Sequence, residues 1–359
     1  MADETLEALV AVVPPLMQSM EALGQVSRYL AAVPFEEIMA AVGAPDQALI
    51  EALPRLEAWP DRLAGLRTAL ETAGQVAITA FEGLRAAPEA EDGLTAVFRA
   101  TRGVSRAQAA LYPLAADLPP ISRFFTSPPL RQDAELAARL AAAEPREDVG
   151  VFHSEGEGGD RGGFSLYVPE TYSDDRAWPL VTALHGGSGD GRSFLWSWLR
   201  DARSLGAILL SPSSVGRTWG LNNPEADAVN LARMVAEIEG RWNVDPARRL
   251  MTGMSDGGTF CYVAGLDASS PFTHLAPCSA SFHPMIAAMA DRQRLAGLPI
   301  HITHGTLDWM FNVEMAREAA AALTSAGAAV TYQEIPDLAH TYPREINPGL
   351  LAWLDGAGA

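Results

Sequence analysis

The feature of this sequence that most constrains its fold is the alternation of strand-like and helix-like segments between residues 146 and 359. The near-continuous apolar run from Trp178 to Gly187 ends in glycines, as a strand buried on both faces would. Residues 224–242 and 312–327 instead have the apolar spacing of helices. Repeated strand–helix units predict a mostly parallel sheet with helices on both faces. The predicted strands cover residues 162–170, 178–187, 206–214, 248–255, 273–281, 298–305 and 329–337.

Residues 1–145 have a different pattern, which predicts an all-α N-terminal domain ahead of an α/β domain at 146–359. Ala, Leu and Glu dominate this part, and prolines such as Pro14 and Pro15 are expected to break it into separate helices. Part of it carries a heptad pattern typical of packed helices. The two apolar rows of this pattern are Leu56, Leu63 and Leu70, and Trp59, Leu66 and Ala73.

The heptad rows leave two interpretations of the N-terminal domain open. A helical hairpin packed within its own domain is favoured, while an intermolecular coil would make the protein a homodimer. The proline-rich stretch from Leu118 to Leu130 carries Phe124 and Phe125, which look exposed. It could reach the second domain as a lid, or it could be ordinary packing.

The candidate nucleophile is Ser255, in the stretch Gly253-Met254-Ser255-Asp256-Gly257. This stretch matches G-x-S-x-G and falls between a predicted strand and a predicted helix, where a sharp turn would present the hydroxyl above the sheet. The alternative is a chance match in a chain that contains 31 glycines. The strand–turn–helix context favours the functional interpretation.

A serine nucleophile needs a base, and the base needs an orienting acid. Asp308 and His340 follow Ser255 in the order acid then base, each just after a predicted strand. The carboxyl ends of parallel strands meet at one edge of the sheet, so the three side chains are predicted to lie together. Asp337 is the rival acid and His283 the rival base.

The glycine-rich stretch from Leu184 to Gly191 predicts an oxyanion-binding loop. A tetrahedral intermediate needs N–H donors aimed at its oxygen. The N–H of Asp256, directly after the nucleophile, is one predicted donor, and the N–H of Gly187 is the other, with Ser188 as a further choice. The stretch lacks the lysine of a phosphate-binding P-loop, and the chain contains no lysine at all.

Composition limits the possible partners and cofactors. The formal net charge is −18, which argues against nucleic-acid binding and against an anionic membrane surface. Two cysteines and seven scattered histidines form no disulfide framework and no metal-ligand spacing, so neither metal nor cofactor is expected. The first basic residue is Arg28, and no uninterrupted apolar run reaches membrane-spanning length, so a soluble, cytoplasmic protein is expected.

With these residues assembled, residues 148–356 resemble the α/β-hydrolase superfamily, and within it the polyhydroxybutyrate depolymerase and feruloyl esterase group. The resemblance implies an α/β-hydrolase fold and activity on carboxylic esters. It departs from the group's H-x-W-P run at Tyr342, which stands in place of tryptophan. The matching residues are Asp245, Arg248, Thr252, Gly253, Ser255, Gly257, Gly258, His304, Gly305, Asp308, His340 and Pro343.

The sequence thus predicts a serine carboxylesterase that hydrolyses small uncharged esters. A lysophospholipase or thioesterase would use the same parts, and a helical interaction module on a non-catalytic hydrolase scaffold is the alternative from another class. Four aromatic residues in loops at the predicted edge are candidates for an apolar substrate pocket, although some of them would be expected to pack the core instead. These residues are Phe194, Trp198, Trp219 and Trp309.

Overall fold

The computed structural model describes residues 2–156 and 159–356. The chain divides into two compact units, Met1–Asp133 and Ala134–Ala359. The division thus falls between residues 133 and 134, ahead of the predicted change at 145 and 146, because helix α8 (Ala134–Ala141) clusters with the second unit. Each unit has its own buried core.

The N-terminal unit is helical, which confirms the predicted all-α region. Its interior is formed by leucine and phenylalanine side chains with no exposed surface, including Leu16, Leu70 and Phe81. Short 3-10 segments connect several of the helices. The helices are α1 (Ala2–Gln25), α2 (Phe35–Val42), α3 (Asp46–Ala52), α4 (Ala64–Ala86), α5 (Gly93–Thr101), α6 (Val104–Leu111) and α7 (Pro119–Phe124).

The heptad pattern does not lie on one continuous helix. Leu56 ends one 3-10 segment and Leu63 ends another, while only the later members of the two rows lie on α4. Pro60, between those segments, has no N–H to continue a helix. Leu56 and Leu70 are fully buried within the unit. The pattern therefore marks core positions of this unit.

Helix α1 runs through Pro14 and Pro15, so the predicted break at these residues is wrong. The helix is supported by packing instead, because Val12, Leu16 and Met20 on one of its faces are buried. By length and composition alone, residues Glu4–Tyr29 could cross a membrane, with a mean hydropathy of 1.2. Charged residues interrupt this segment, and 39% of the apolar window is buried in the protein.

The proline-rich stretch from Leu118 to Leu130 is packed, and its phenylalanines are not exposed. Phe124 and Phe125 are 4% and 1% exposed. Their rings meet edge to face at 5.0 Å between centroids, and Phe125 packs in the same way on Tyr112 at 5.4 Å. These contacts explain why a stretch that looks like a flexible connector is held in the core of the N-terminal unit.

Within the described residues, the C-terminal unit has an eight-stranded sheet of order β1-β2-β4-β3-β5-β6-β7-β8. Strands β1, β2 and β4 pair antiparallel and the remaining pairs are parallel, which confirms the predicted mostly parallel sheet. The strands are β1 (Gly150–Gly156), β2 (Gly159–Val168), β3 (Trp178–Leu184), β4 (Ile208–Pro212), β5 (Val244–Met254), β6 (His274–Cys278), β7 (Pro299–Gly305) and β8 (Ala329–Ile335).

The sequence did not predict β1, which is one of the two edge strands of the sheet in the described residues. Several of its side chains are exposed, so the strand lacks the apolar run that marks the central strands. It pairs with β2 from Gly150 opposite Val168 to Gly156 opposite Gly159. The predicted glycine-rich turn before β2 is thus largely strand, and residues 157 and 158 within it lie outside the described residues.

Helices cover the sheet and bury its central strands. Every residue of β3 and β4 is buried, as the continuous apolar runs predicted. The largest core side chains include Trp178, Tyr262 and Phe260. Besides α8, the helices of this unit are α9 (Gly191–Phe194), α10 (Leu199–Leu205), α11 (Glu225–Glu239), α12 (Asp256–Gly265), α13 (Pro284–Met289), α14 (Arg292–Leu295), α15 (Val313–Ser325) and α16 (Asn347–Leu354).

The parallel register brings the carboxyl ends of the central strands together. Leu184 of β3 pairs with Gly253 of β5, and Gly305 of β7 pairs with Ile335 of β8. The segments that follow β3, β5, β7 and β8 therefore leave the sheet at the same edge. In a parallel sheet this edge is where ligands bind.

Candidate active site

Ser255 lies on a strained turn between β5 and α12. Its backbone has φ 57° and ψ −120°, a left-handed conformation that costs a non-glycine residue about 1–3 kcal/mol. The surroundings hold the turn, because the N–H of Ser255 donates to the carbonyl of Cys278 at 3.0 Å. Its own carbonyl accepts from the N–H of Thr259 at 2.8 Å. The side chain is 6% exposed, at the carboxyl edge of the sheet.

Two glycines make this turn possible because the backbone segments around it approach too closely for side chains. A Cβ atom at position 253 would lie 2.6 Å from the backbone of Gly257. A Cβ atom at position 257 would lie 2.5 Å from the carbonyl oxygens of Leu184 and His185. The glycines of the G-x-S-x-G stretch therefore serve the close contact between β5, α12 and the end of β3.

The structure brings Ser255, His340 and Asp308 together in one chain of hydrogen bonds. Nε2 of His340 lies 3.0 Å from Oγ of Ser255. Nδ1 of the same ring lies 2.8 Å from Oδ2 of Asp308 and 3.0 Å from Oδ1. With the Nδ1 proton donated to the carboxylate, Nε2 is free to accept the serine proton.

Asp308 is held as an anion although its carboxylate is fully buried. Burial by itself raises the pKa of Asp308. The hydrogen bond from His340 and those from the N–H groups of Phe311, at 2.8 Å, and Met310, at 2.9 Å, outweigh it and bring the pKa below its ordinary value. The loop after β7 thus turns its own backbone donors toward this carboxylate.

The other histidines near this edge have structural contacts. His304 donates from Nε2 to the carbonyl of Phe311 at 2.8 Å, and burial lowers its pKa, so it braces the loop that carries Asp308 as a neutral ring. His283, the rival base, is exposed, and its Nδ1 accepts from the N–H of Met285 at 3.2 Å at the start of α13. The carboxylate that accepts from His340 is that of Asp308. The rival acid, Asp337, is closer to His340 in sequence.

The predicted oxyanion loop forms a tight turn against the start of α12. The N–H of Gly189 donates to the carbonyl of Gly186 at 3.0 Å, and Ser188 has a φ of 58°. A Cβ atom on Gly187 would lie 2.9 Å from Oδ2 of Asp256, so this loop runs directly past the residue that follows the nucleophile. Gly187 and Ser188 are both exposed. The predicted N–H donors of Gly187 and Asp256 therefore lie on two segments that contact each other, the loop after β3 and the start of α12.

His185 and Arg161 brace this turn from behind. Nδ1 of His185 donates to the carbonyl of Gly186 at 2.7 Å, while its Nε2 accepts from the N–H of Ser214 at 3.1 Å. Burial lowers the pKa of His185, so the ring is neutral, as this pair of roles requires. Nη1 of Arg161 donates to the carbonyl of Gly189 at 2.8 Å. Arg161 is not among the site residues predicted from the sequence, because nothing local to β2 signals a contact with a loop 28 positions away.

Two of the four aromatic residues proposed for a substrate pocket are core residues. Trp198 is fully buried, and Trp219 is 3% exposed, so neither presents a ring to solvent. The indole of Trp219 stacks on Phe260 at 5.0 Å and donates to the carbonyl of His185 at 2.8 Å, which makes it part of the support under the oxyanion loop. Their apolar surface is used for packing, which spacing in sequence could not reveal.

The remaining two aromatic residues, Trp309 and Phe194, keep some exposed surface. Trp309 is 37% exposed, and its ring meets that of His340 edge to face at 5.8 Å between centroids. Phe311, on the same loop, also packs edge to face with the ring of His340, at 5.4 Å between centroids. Phe194 is half-buried and packs on Tyr342 at 5.4 Å. Trp309 is therefore the aromatic residue of the four that is exposed beside the candidate base.

Comparison with known proteins gives one family match, over residues 230–346, to the phospholipase/carboxylesterase family of α/β-hydrolases. This range contains Ser255, Asp308 and His340. A bifunctional acetylxylan esterase/xylanase of Neocallimastix patriciarum is 25% identical over 153 residues, which are 42% of this chain and 22% of that protein. The chain therefore spans about a fifth of the length of this relative.

Solved structures of esterases are also similar to part of the chain. A thermostable esterase has a TM-score of 0.44 and 20% identity, over 59% of this chain and 60% of that one. Est1E from Butyrivibrio proteoclasticus has a TM-score of 0.45 and 16% identity, over 58% of this chain and 99% of that one.

Proposed function

We propose that this protein, whose residues 230–346 match the phospholipase/carboxylesterase family model, is an α/β-hydrolase and a serine carboxylesterase that forms an acyl-enzyme on Ser255. The observation that carries the proposal is the unbroken hydrogen-bond chain from Ser255 through His340 to Asp308, at 3.0 Å and 2.8 Å. These distances lie in the range that proton transfer between a nucleophile and its base requires.

In the proposed acylation step, Oγ of Ser255 attacks the ester carbonyl carbon while Nε2 of His340 accepts the serine proton. The carbonyl oxygen becomes an oxyanion, and the N–H groups of Asp256 and Gly187 are proposed to bind it. Collapse of this intermediate expels the alcohol, which takes its proton from His340. Asp308 holds the imidazole in the tautomer that accepts at Nε2 and stabilises the imidazolium that forms.

In the proposed deacylation step, a water molecule takes the place of the alcohol. His340 accepts one proton of the water, whose oxygen attacks the acyl-enzyme carbonyl, and the same two N–H groups bind the second oxyanion. Breaking the bond to Oγ returns the proton to Ser255 and releases the carboxylic acid.

The proposed substrates are small uncharged esters with an apolar acyl or alcohol group. A net charge of −18 repels anionic substrates at long range. Trp309, exposed beside His340, offers an apolar surface next to the reacting atoms. Lysophospholipids and thioesters react by the same steps, so the proposal concerns the mechanism first and the leaving group second.

The test is hydrolysis of p-nitrophenyl esters from acetate to octanoate by the wild type, by Ser255→Ala and by Ser269→Ala. Ser269 lies in an exposed turn and is the matched control for loss of a hydroxyl. We expect turnover by the wild type and the control, and none above background by Ser255→Ala. A fluorophosphonate adduct should map to the peptide that contains Ser255. Absence of wild-type turnover would favour the non-catalytic scaffold.

For the N-terminal unit we propose self-association into a homodimer in a reducing, cytoplasmic setting. Leu6 and Val10 are 60% and 65% exposed and lie one turn apart on α1, so they offer an apolar surface for a second copy. Sedimentation should give twice the chain mass for the wild type and the single mass for a Leu6→Glu, Val10→Glu variant. A wild-type monomer would contradict the proposed dimer.

The proposed reducing compartment is supported by the two cysteines. Cys261 and Cys278 are buried free thiols, in keeping with such a setting.

A further inference from the structure

A buried chain of hydrogen bonds begins at Tyr342, two residues after His340, and ends at helix α10. The hydroxyl of Tyr342 lies 2.8 Å from Oδ1 of Asn347. Nδ2 of Asn347 donates to the carbonyl of Ser197 at 2.9 Å and to Oδ2 of Asp201 at 3.0 Å. Asn347 has no exposed surface, and Asp201 is 4% exposed. Buried polar groups in such a chain restrict one another's positions.

The direction of these hydrogen bonds is fixed by their ends. The two acceptors, Ser197 carbonyl and Asp201 carboxylate, use both amide hydrogens of Asn347. Oδ1 of Asn347 then faces Tyr342 and can only accept, so the phenol donates. Burial raises the pKa of Tyr342 well above its usual value, which keeps that proton on the oxygen.

This chain joins the segment that carries the histidine to the segment that follows the oxyanion loop. The ring of Tyr342 packs edge to face on Phe194 at 5.4 Å and against Trp198 at 6.3 Å, between the end of α9 and the start of α10. On the other side of His340, the N–H of Leu307 donates to the carbonyl of Leu338 at 3.0 Å. The loop is thus attached on both sides of the histidine, by backbone before it and by the Tyr342 side chain after it.

We propose that Tyr342 is a positioning residue for the reaction, and that its hydroxyl, anchored through Asn347 to Asp201, holds the His340 loop at its distance from Ser255. This inference rests on the proposed function. Tyr342 acts through His340 and is assigned no contact with the substrate. Catalytic groups must be held within fractions of an ångström, so small freedom in this loop should lower the rate of the chemical step more than substrate binding.

The first test is Tyr342→Phe, which keeps the ring contacts and removes only the hydroxyl. We expect kcat with p-nitrophenyl butyrate to fall about tenfold while KM stays within about twofold. Asn347→Leu removes the acceptor of the Tyr342 hydroxyl and the donor to Ser197 and Asp201. It should lower kcat at least as far. Tyr172→Phe is the matched control, because the hydroxyl of this buried tyrosine is also hydrogen-bonded, in its case as the acceptor from the N–H of Asn243 at 2.8 Å, but lies near the start of β3, at the opposite edge of the sheet. It should lower the thermal midpoint and leave kcat unchanged.

The second test asks whether the effect passes through His340. In a His340→Ala background, Tyr342→Phe should change the residual rate by less than about twofold, since residues that act as a unit are not additive. Equal losses in both backgrounds would assign Tyr342 a general structural role and overturn the inference. Unchanged kcat in Tyr342→Phe with an active wild type would also overturn it, while leaving the proposed function intact. A wild type without turnover would remove both.

Discussion

Nε2 of His340 lies 3.0 Å from the hydroxyl of Ser255, although 85 positions separate the two residues in the chain. The parallel register of β5, β7 and β8 produces this proximity, because each residue lies in the segment that leaves its strand at the same edge of the sheet.

Asp308→Asn should lower kcat by about 10³–10⁴-fold and leave the protein folded. An amide at this position can hold the imidazole in the wrong tautomer, as the loss of the orienting carboxylate does in serine-protease-like sites. Steady-state kinetics with p-nitrophenyl butyrate measures the loss. Asp337→Asn, which changes the rival carboxylate, should stay within about threefold of the wild type. A larger loss at position 337 than at 308 would show that the acid has been misassigned.

Asp308 should also contribute to the acid sensitivity of the fold. Its pKa is lowered in the folded protein, so the unfolded chain binds a proton at higher pH than the folded chain does. The stabilisation is therefore present above the unfolded value, about 3.9, and is lost as pH falls through the lower folded value. Urea midpoints of wild type and Asp308→Asn between pH 6 and the acid limit measure this. The midpoint of the variant should fall less steeply below about pH 4; identical slopes would contradict the assignment.

Gly257→Ala should destabilise the C-terminal unit by about 3 kcal/mol or prevent folding, because the new Cβ overlaps backbone oxygens that cannot move aside. The clash is with the carbonyl groups of Leu184 and His185 at 2.5 Å. Gly349→Ala is the matched control in α16, where a Cβ has open space around it. There the change should be neutral or stabilising by up to about 1 kcal/mol. Chemical denaturation of both variants gives the comparison, and equal stabilities would refute the close approach.

Arg161→Gln should lower kcat about tenfold with little change in KM, because the carbonyl of Gly189 loses its guanidinium donor and the oxyanion loop is less well held. Arg233→Gln, on the exposed face of α11, is the control and should behave as the wild type. Burst and steady-state rates with an activated ester report the effect. A change in KM alone would mean that Arg161 contributes to substrate binding instead.

Trp219→Ala and Trp309→Ala should separate stability from substrate contact. Loss of the buried indole of Trp219 should cost about 3–5 kcal/mol in unfolding free energy. Loss of the exposed indole of Trp309 should change stability by no more than about 0.5 kcal/mol. It should raise KM for p-nitrophenyl octanoate about fivefold, which corresponds to about 1 kcal/mol of apolar contact. Unaltered KM for the Trp309 variant would remove it from the substrate-binding surface.

The sequence predicted the central features of the C-terminal unit because they are encoded locally. The buried strands β3 and β4 have continuous apolar runs, and the glycines around Ser255 record a backbone contact that no other residue permits. The order of Ser255, Asp308 and His340, each after a strand, is also visible without a structure. Strand order and register bring these three residues to one edge of the sheet, whereas their distances depend on the loops that carry them.

What the sequence could not reveal depends on contacts between distant segments. Strand β1 is an exposed edge with little apolar pattern, and Pro14 and Pro15 are tolerated in α1 because packing outweighs local propensity. The places of Trp198 and Trp219 in the sequence suggested a pocket at the carboxyl edge of the sheet. Both are buried instead by neighbours in other segments, such as Phe260 against Trp219. Arg161 and Tyr342 likewise gain their roles from partners far along the chain.

The backbone conformation of Ser255 favours glycine at this position. A φ of 57° is unfavourable for any residue with a Cβ and nearly free for glycine. A protein that did not need the hydroxyl would therefore be more stable with glycine at position 255. In such a protein, the serine would not be expected to persist through random mutation. Ser255→Gly should accordingly raise the free energy of unfolding while it abolishes the proposed esterase activity. The serine at this position thus lowers stability in exchange for a reactive hydroxyl.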